Sequence, residues 1–335
     1  MYELDNSAAI HLASRTKDYT NCFRIEAELK EEICPVALQK AVETITPRFP
    51  TIIAGIKKGP FFFRVVPVAE IPQIEKDTEC LASMSKRQIE KRAIRFLYKK
   101  RKIAVEIFHA LTDGYGGLKL LEALVLAYLA EKHPEVKRKQ GPWYGKILSR
   151  EIADDFLTYA SGKKGKTTNK KAYQLPWQTD NEQKIEVTTL QYDTKKLLEQ
   201  AHKYGVSLTA YLTAILEKSI IEIQKYHESF PKFRKPVQVL VPINMRKIFG
   251  SKTLRNFTLY ALPCVMPAEQ EMLFEDLVRH VANQIKQQTT REHLAQMITT
   301  NVKLQNIWFY KILPLPIKTT ILKFAEDFFG SQTLA

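Results

Sequence analysis

The sequence predicts an α/β protein built as two layered halves, each a mixed sheet packed with helices. Two observations carry this prediction. Apolar, β-branched runs alternate with segments of helical periodicity along nearly the whole chain. One stretch, Ser161 to Asn181, breaks that alternation with Lys, Gly, Thr and Asn and no sustained period. At 335 residues, with 45% hydrophobic and 26% charged residues, each half has room for its own core. The expected division is an N-terminal half over 1–160, a linker over 161–184 and a C-terminal half over 185–335.

In the first half, Asn21 to Lys30 alternates as an opening strand, and Pro35 to Pro47 has a proline at its first turn and apolar spacing suited to a helix. Thr51 to Ile56 and Phe61 to Val66 flank Lys57-Lys58-Gly59-Pro60 and read as a hairpin. The run Phe61-Phe62-Phe63 reads as sheet core in preference to channel lining. Ser83 to Tyr98 gives a short helix and then a strand able to pair with Ile103 to Phe108. Gly114, Gly116 and Gly117 end that second strand, and a helix runs from Leu118 to Lys132 with Leu121, Leu124, Val125 and Tyr128 on its apolar face. Lys146 to Ala160 reads as another helix.

In the second half, Ile185 to Tyr192 reads as a strand and Thr194 to Tyr204 as a helix stopped by Gly205. Ser207 caps a long helix to about Tyr226, with Leu208, Leu212, Ile215 and Leu216 expected on its buried side. Val237 to Pro242 and Phe257 to Val265 read as strands, joined by a loop carrying Asn244, Arg246, Arg255 and Asn256. Glu271 to Gln288, Glu292 to Ile312 and Lys318 to Phe329 read as helices.

The chemistry-bearing stretch is Phe108-His109-Ala110-Leu111-Thr112-Asp113-Gly114. It places a histidine directly after a strand and an aspartate four residues later on a glycine turn. A histidine so held takes a proton near neutral pH. The aspartate is a poor direct relay to that ring and is better suited to pairing with a distant arginine that locks the turn. A plainer reading also fits: Asp113 caps the next helix, Gly114 and Gly116 supply positive φ, and His109 is a satisfied core histidine. Of the seven histidines, only His109 has an aspartate four residues on followed by glycine, and on spacing alone both readings stay open.

His109 to Gly114 matches the His-x-x-x-Asp-Gly motif of the CoA-dependent acyltransferase superfamily, which includes chloramphenicol acetyltransferases, alcohol acetyltransferases and peptide-synthetase condensation domains. Glu106 to Gly117 resembles the bacterial alcohol acetyltransferase-like branch. Phe23-Arg24-Ile25, Leu38 to Val42 and Pro47-Arg48-Phe49-Pro50 upstream are similar to that branch, as are Val241 to Arg246 and Thr253 to Phe257 downstream, so the likeness runs in order from about residue 5 to about 265.

The resemblance implies two chloramphenicol acetyltransferase-like halves, with His109 midway along a tunnel between them. It implies acyl-CoA as co-substrate, a small alcohol as acceptor, no bound cofactor and no metal. His109 is then the general base and Asp113 a structural residue paired with an arginine, Arg246 or Arg255 first, Arg15 and Arg24 behind them. Gly114 completes the catalytic motif with His109 and Asp113, and Tyr115, Gly116, Asn244, Arg246, Arg255 and Asn256 are expected to support the substrate or the loop. A condensation-type enzyme fed by a carrier protein, and a non-catalytic relative, are the alternatives. The family continues past the point where this chain stops, with a Ser-Asn-(Leu/Ile)-Gly strand, so the C-terminal half is expected to be incomplete and an edge strand exposed. The Asp-Phe-Gly-Trp-Gly motif of related plant acyltransferases is absent.

Composition narrows the classes further. The net charge of +15 comes partly from Arg95 to Lys102, Lys163 to Lys171 and Lys232 to Lys235; none lies in a recognisable nucleic-acid module, two read as solvated connectors, and some of the basic residues are suited to steering an anionic acyl carrier. Cys22, Cys34, Cys80 and Cys264 are too scattered for a zinc site or a disulfide framework. No apolar run approaches the roughly eighteen residues of a membrane span. Met1-Tyr2-Glu3-Leu4-Asp5 is no signal peptide, and a cytoplasmic protein is expected.

Overall fold

The computed structural model describes residues 2–5, 8–15, 20–78, 81–135, 145–160, 162, 165, 171–176, 188–228, 230, 234–305 and 312–321. The chain divides into two compact units, one of residues 1–159, 245–257 and 301–323, the other of residues 160–244, 258–300 and 324–335. Among the described residues both units mix strands and helices, so the fold is α/β.

The first unit contains β1 (Tyr2–Glu3), α1 (Ala8–Ala13), β2 (Cys22–Glu28), α2 (Pro35–Ile45), β3 (Ala54–Lys58), β4 (Phe63–Pro67), β5 (Ile74–Lys76), α3 (Lys86–Lys91), β6 (Ile94–Lys99), β7 (Lys102–Phe108), α4 (Gly114–Lys132) and α5 (Asp155–Tyr159). Its main sheet has the order β2-β7-β6-β5, antiparallel except for the β5–β6 pair, and β1-β4-β3 form a second sheet. Strand alternation gives the main sheet two different faces. Phe23, Ile25, Val105 and Ile107 join Leu38 and Val42 of α2 and Leu120 and Leu124 of α4 in one hydrophobic core. On the other face the buried Glu106 lies between Arg24 at 3.2 Å and Arg95 at 2.6 Å.

Several boundaries differ from the sequence pattern for identifiable reasons. β3 begins at Ala54 rather than Thr51 because Ile52 and Ile53 N–H close a turn onto Phe49 O. Gly59 N–H donates to Phe62 O, so Phe61 and Phe62 fall in the hairpin loop, 45% and 50% exposed, and only Phe63 is core. Over the single helix expected at Lys146 to Ala160, a short 3-10 turn at Ser149–Glu151 is followed by α5. The intervening carbonyls have other partners: Glu151 O accepts from Leu254 N–H at 2.8 Å and Ala153 O from the Thr253 hydroxyl at 2.7 Å.

Chain order continues with α6 (Thr194–Lys203), α7 (Leu208–His227), β8 (Val237–Gln238), β9 (Val241–Asn244), α8 (Arg246–Phe249), β10 (Thr258–Ala261), β11 (Cys264–Val265), α9 (Phe274–Gln288) and α10 (Arg291–Gln305). Of these, α8 belongs to the first unit. Asp193 and Ser207 cap α6 and α7, and Gly205 between them has φ +68°. The strands expected at Val237 to Pro242 and Phe257 to Val265 are each broken, so that β9 pairs with β10 and β8 with β11. At the break, the side-chain amides of Gln288 and Gln284 on α9 hydrogen-bond the backbone of Leu262 and Cys264, covering that stretch of strand edge.

The buried side of α7 is the reverse of the expected one. Ala210, Thr213, Ala214, Glu217, Ile220, Ile221 and Gln224 are buried, and Ala214, Ile220 and Ile221 share a cluster with Leu277, Val278 and Val281 of α9. Leu212, Ile215 and Leu216 are exposed, and Leu208 is half-buried. The small side chain of Ala214 lets α9 approach where a leucine would hold it off. Residues 188–193 form no strand, and 185–187 lie outside the described residues, as do Cys80, most of the 161–184 stretch, 306–311 and everything after 321. Residues 315–321 are helical. No helix among the described residues is long and apolar enough to cross a membrane.

Candidate active site

β7 is hydrogen-bonded on both sides, to β2 and to β6, so its end is a fixed platform. Phe108 N–H donates to Ala93 O at 3.0 Å and His109 N–H to Asn21 O at 2.8 Å, which continues the pairing one residue past the strand. The His109 ring is half-buried, with Phe23 at 5.0 Å between ring centroids and His11 stacked on it at 4.3 Å and 19°. Its Nδ1 is buried with no hydrogen-bond partner among the described residues.

Beyond His109 the chain turns, with Leu111 N–H donating to Phe108 O, and Asp113 becomes the N-cap of α4 by accepting from Gly116 N–H at 3.2 Å. The same carboxylate takes a two-pronged bond from Arg246, Nη1 to Oδ2 at 2.9 Å and Nη2 to Oδ1 at 3.1 Å, and accepts from Phe257 N–H at 2.9 Å. Helix cap and arginine lock are thus both properties of one side chain. None of the described hydrogen bonds joins Asp113 to His109. Arg246 is 4% exposed; its other N–H groups donate to Thr253 O at 2.7 Å and Arg255 O at 2.5 Å, and its guanidinium lies 4.5 Å from the Tyr115 ring centroid. Arg246 therefore holds three chain segments in one fixed geometry.

The other three candidate arginines are engaged elsewhere. Arg255 donates to Glu3 O at 2.5 Å and lies 3.8 Å from Asp5. Arg24 pairs with Asp77 and Glu106, and Arg15 donates to Met84 O. Asn256 donates to Asp5 Oδ2 at 3.1 Å, in the second layer of the lock, and Asn244 belongs to the other unit, where it ends β9 opposite Thr258.

Gly116 and Gly117 act by size. Neither Gly114 nor Gly116 has positive φ. A Cβ on Gly116 would stand 2.0 Å from Thr112 Oγ1 and 2.3 Å from Leu254 O, and one on Gly117 would meet Phe23 and Ile25 at 2.9 Å. Gly114 has nothing within 4 Å of a built Cβ, so packing does not demand glycine there. Thr112, whose hydroxyl donates to Leu254 O at 2.6 Å, and Phe257, which donates to Asp113, are parts of the site that spacing gave no sign of. His11 is another: it sits far upstream in an unremarkable helix, and no motif joins it to His109.

No protein-family model and no curated protein matches the sequence. Solved structures do match in shape. Polyketide synthase associated protein 5 from Mycobacterium tuberculosis is 12% identical, with a TM-score of 0.57 over 88% of this chain and 75% of its own. TRI101 from F. graminearum, solved with coenzyme A and deoxynivalenol, is 11% identical, with a TM-score of 0.61 over 90% and 78%. The starter condensation domain of rhizomide synthetase RzmA is 13% identical, with a TM-score of 0.51 over 92% and 76%. The chain thus has the fold shared by CoA-dependent acyltransferases and condensation domains.

Proposed function

We propose that this chain transfers an acyl group, acetyl by preference, from a CoA thioester to an alcohol, with His109 as the general base. The observation that carries the reading is the division of labour within the motif. Arg246, Phe257 and Gly116 hold the Asp113 carboxylate, while His109 stands at the end of a central strand with no carboxylate of the described residues hydrogen-bonded to its ring. In this reading the His109 ring takes the hydroxyl proton as the alcohol oxygen attacks the thioester carbonyl. A tetrahedral intermediate forms, the carbon–sulfur bond breaks, and the imidazolium returns the proton to the departing thiolate, giving an ester and free CoA without a covalent acyl-enzyme. Acyl-CoA is then a substrate, and the fold of TRI101, solved with coenzyme A, supports it as the donor.

The test is release of free thiol from acetyl-CoA in the presence of a panel of alcohols. Release should need the alcohol and disappear in His109→Ala; unchanged release in that variant would remove His109 from the chemistry. The likeness to a starter condensation domain favours a second reading, in which a carrier protein delivers the acyl group. Turnover with a carrier-bound thioester and none with acetyl-CoA would select it.

A further inference from the structure

We propose that His11 is the positioning residue of this site: its neutral ring, parallel to that of His109, fixes the plane of the base and gives the imidazolium formed there a π-face to lie against. The inference rests on the acyl-transfer reading for its effect on rate, and on geometry alone for the stack.

The hydrogen bonds around Asn21 determine the state of His11. The Ser14 hydroxyl donates its one proton to Ile10 O at 2.8 Å, so its oxygen accepts from Asn21 Nδ2 at 3.0 Å. That leaves Asn21 Oδ1 facing His11 Nδ1 at 3.4 Å, and an amide oxygen can only accept. His11 Nδ1 therefore carries the proton, and the neutral ring is a single tautomer. Burial first, and then the neighbouring His109, push the His11 ring down to about 4, against a weaker upward pull from Asn21. His109 is the one titratable group acting on it among the described residues. Through the neutral range the ring over His109 is thus an uncharged aromatic face.

Asn21 ties both rings to one residue. Its backbone is left-handed, with φ +53°, which asparagine tolerates better than most residues, and it is buried. Its carbonyl accepts from His109 N–H at 2.8 Å while its side chain sets His11. When His109 takes a proton, a neutral parallel ring at 4.3 Å attracts the new cation through its π-electrons, whereas a charged ring there would repel it. The interaction is stronger once the proton has moved, so it favours turnover over substrate binding.

The experiment measures His11→Ala and His11→Phe by proton NMR of the His109 ring and by acyl-transfer kinetics. In His11→Ala the ring-current shift on the His109 ring protons should disappear, and kcat should fall by about threefold to thirtyfold at unchanged KM. In His11→Phe both should return to near the wild-type values, because the neutral face is restored. Loss of the ring-current shift with undiminished kcat would overturn the role of His11 in rate while leaving His109 as the base. An unaltered ring-current shift in His11→Ala would overturn the stack itself. Wild-type protein that keeps the shift yet transfers no acyl group would instead overturn the acyl-transfer reading, and with it the rate role of His11.

Discussion

Replacing Arg246 by methionine keeps much of the side chain's bulk and removes its charge and all its donors. Asp113 then remains buried, at 2% exposure, with the Phe257 and Gly116 N–H groups as donors in place of the two guanidinium nitrogens. Stranding one member of a buried ion pair costs about 3–5 kcal/mol. Thr253 O and Arg255 O lose their Arg246 donors as well, at about 1 kcal/mol each. Against a typical stability of about 5–15 kcal/mol, Arg246→Met should leave the first unit barely folded. Asp113→Asn in the same chain should recover about 2–3 kcal/mol, because the uncompensated charge is gone. Urea unfolding of the two single variants and the double variant measures this coupling, and hydrogen exchange at the Gly116 and Phe257 amides reports the lock directly. A cost below about 1 kcal/mol for Arg246→Met, or strictly additive effects in the cycle, would show that the pair is not what holds the motif turn.

Glycine replacements separate size from conformation: Gly116→Ala should lose about 3 kcal/mol through collision with Thr112 and Leu254, while Gly114→Ala should be neutral or up to about 1 kcal/mol more stable, and thermal melts of the two compare them. Glu217 is fully buried, neither carboxyl oxygen has a hydrogen-bond partner among the described residues, and burial pushes the group up to about 8. The folded chain keeps this proton after the unfolded chain releases it near 4.5, so the group lowers stability as pH rises from about 4.5 to about 8, by roughly 3 kcal/mol at pH 7. Glu217→Gln should remove that slope, and urea midpoints of variant and wild type at pH 5 and pH 7.5 should converge at the lower pH and separate at the higher. On the same helix, Leu216→Lys should change stability by less than about 0.5 kcal/mol whereas Ile221→Ala should cost about 2–5 kcal/mol; the opposite order would restore the face that periodicity suggested.

The first unit was largely legible in the sequence because its signals are local. A proline at the first turn marks α2, charged ends frame β7, and Asp113 stands where an N-cap belongs. α7 failed for an equally physical reason. Leu212, Ile215 and Leu216 mark a helical stripe, but α9 packs over Ala214, Ile220 and Ile221, so in the first half of the helix burial falls on small residues and not on that stripe. The break between Ser149–Glu151 and α5 was hidden because the bonds that cause it come from Thr253 and Leu254, about a hundred residues away. Among the candidate partners of Asp113, the sequence places Arg246 and Arg255 ahead of Arg15 and Arg24 but does not separate the first two. Only the return of residues 245–257 to the first unit does so, by setting Arg246 on Asp113.

That return also explains why the site needs so much buried polar bonding. A histidine at a strand end is fixed in its backbone by the sheet, yet the ring and the turn after it are held only by what packs around them. Arg246 holds the turn through Asp113. Asn256, three residues past Thr253, reaches Asp5, and the other oxygen of Asp5 accepts from Ala8 N–H at 2.9 Å, the first residue of α1. α1 carries His11, and His11 lies on His109. Residues 245–257 therefore brace the histidine by two routes, through the Asp113 turn that follows it and through α1, which carries His11. Asp5→Asn should weaken the second brace alone, shifting the His109 ring protons in the NMR spectrum while the Gly116 and Phe257 amides keep their protection from exchange. Equal loss at both would mean that the two braces are one cooperative unit, with α1 unable to move unless the Asp113 turn opens.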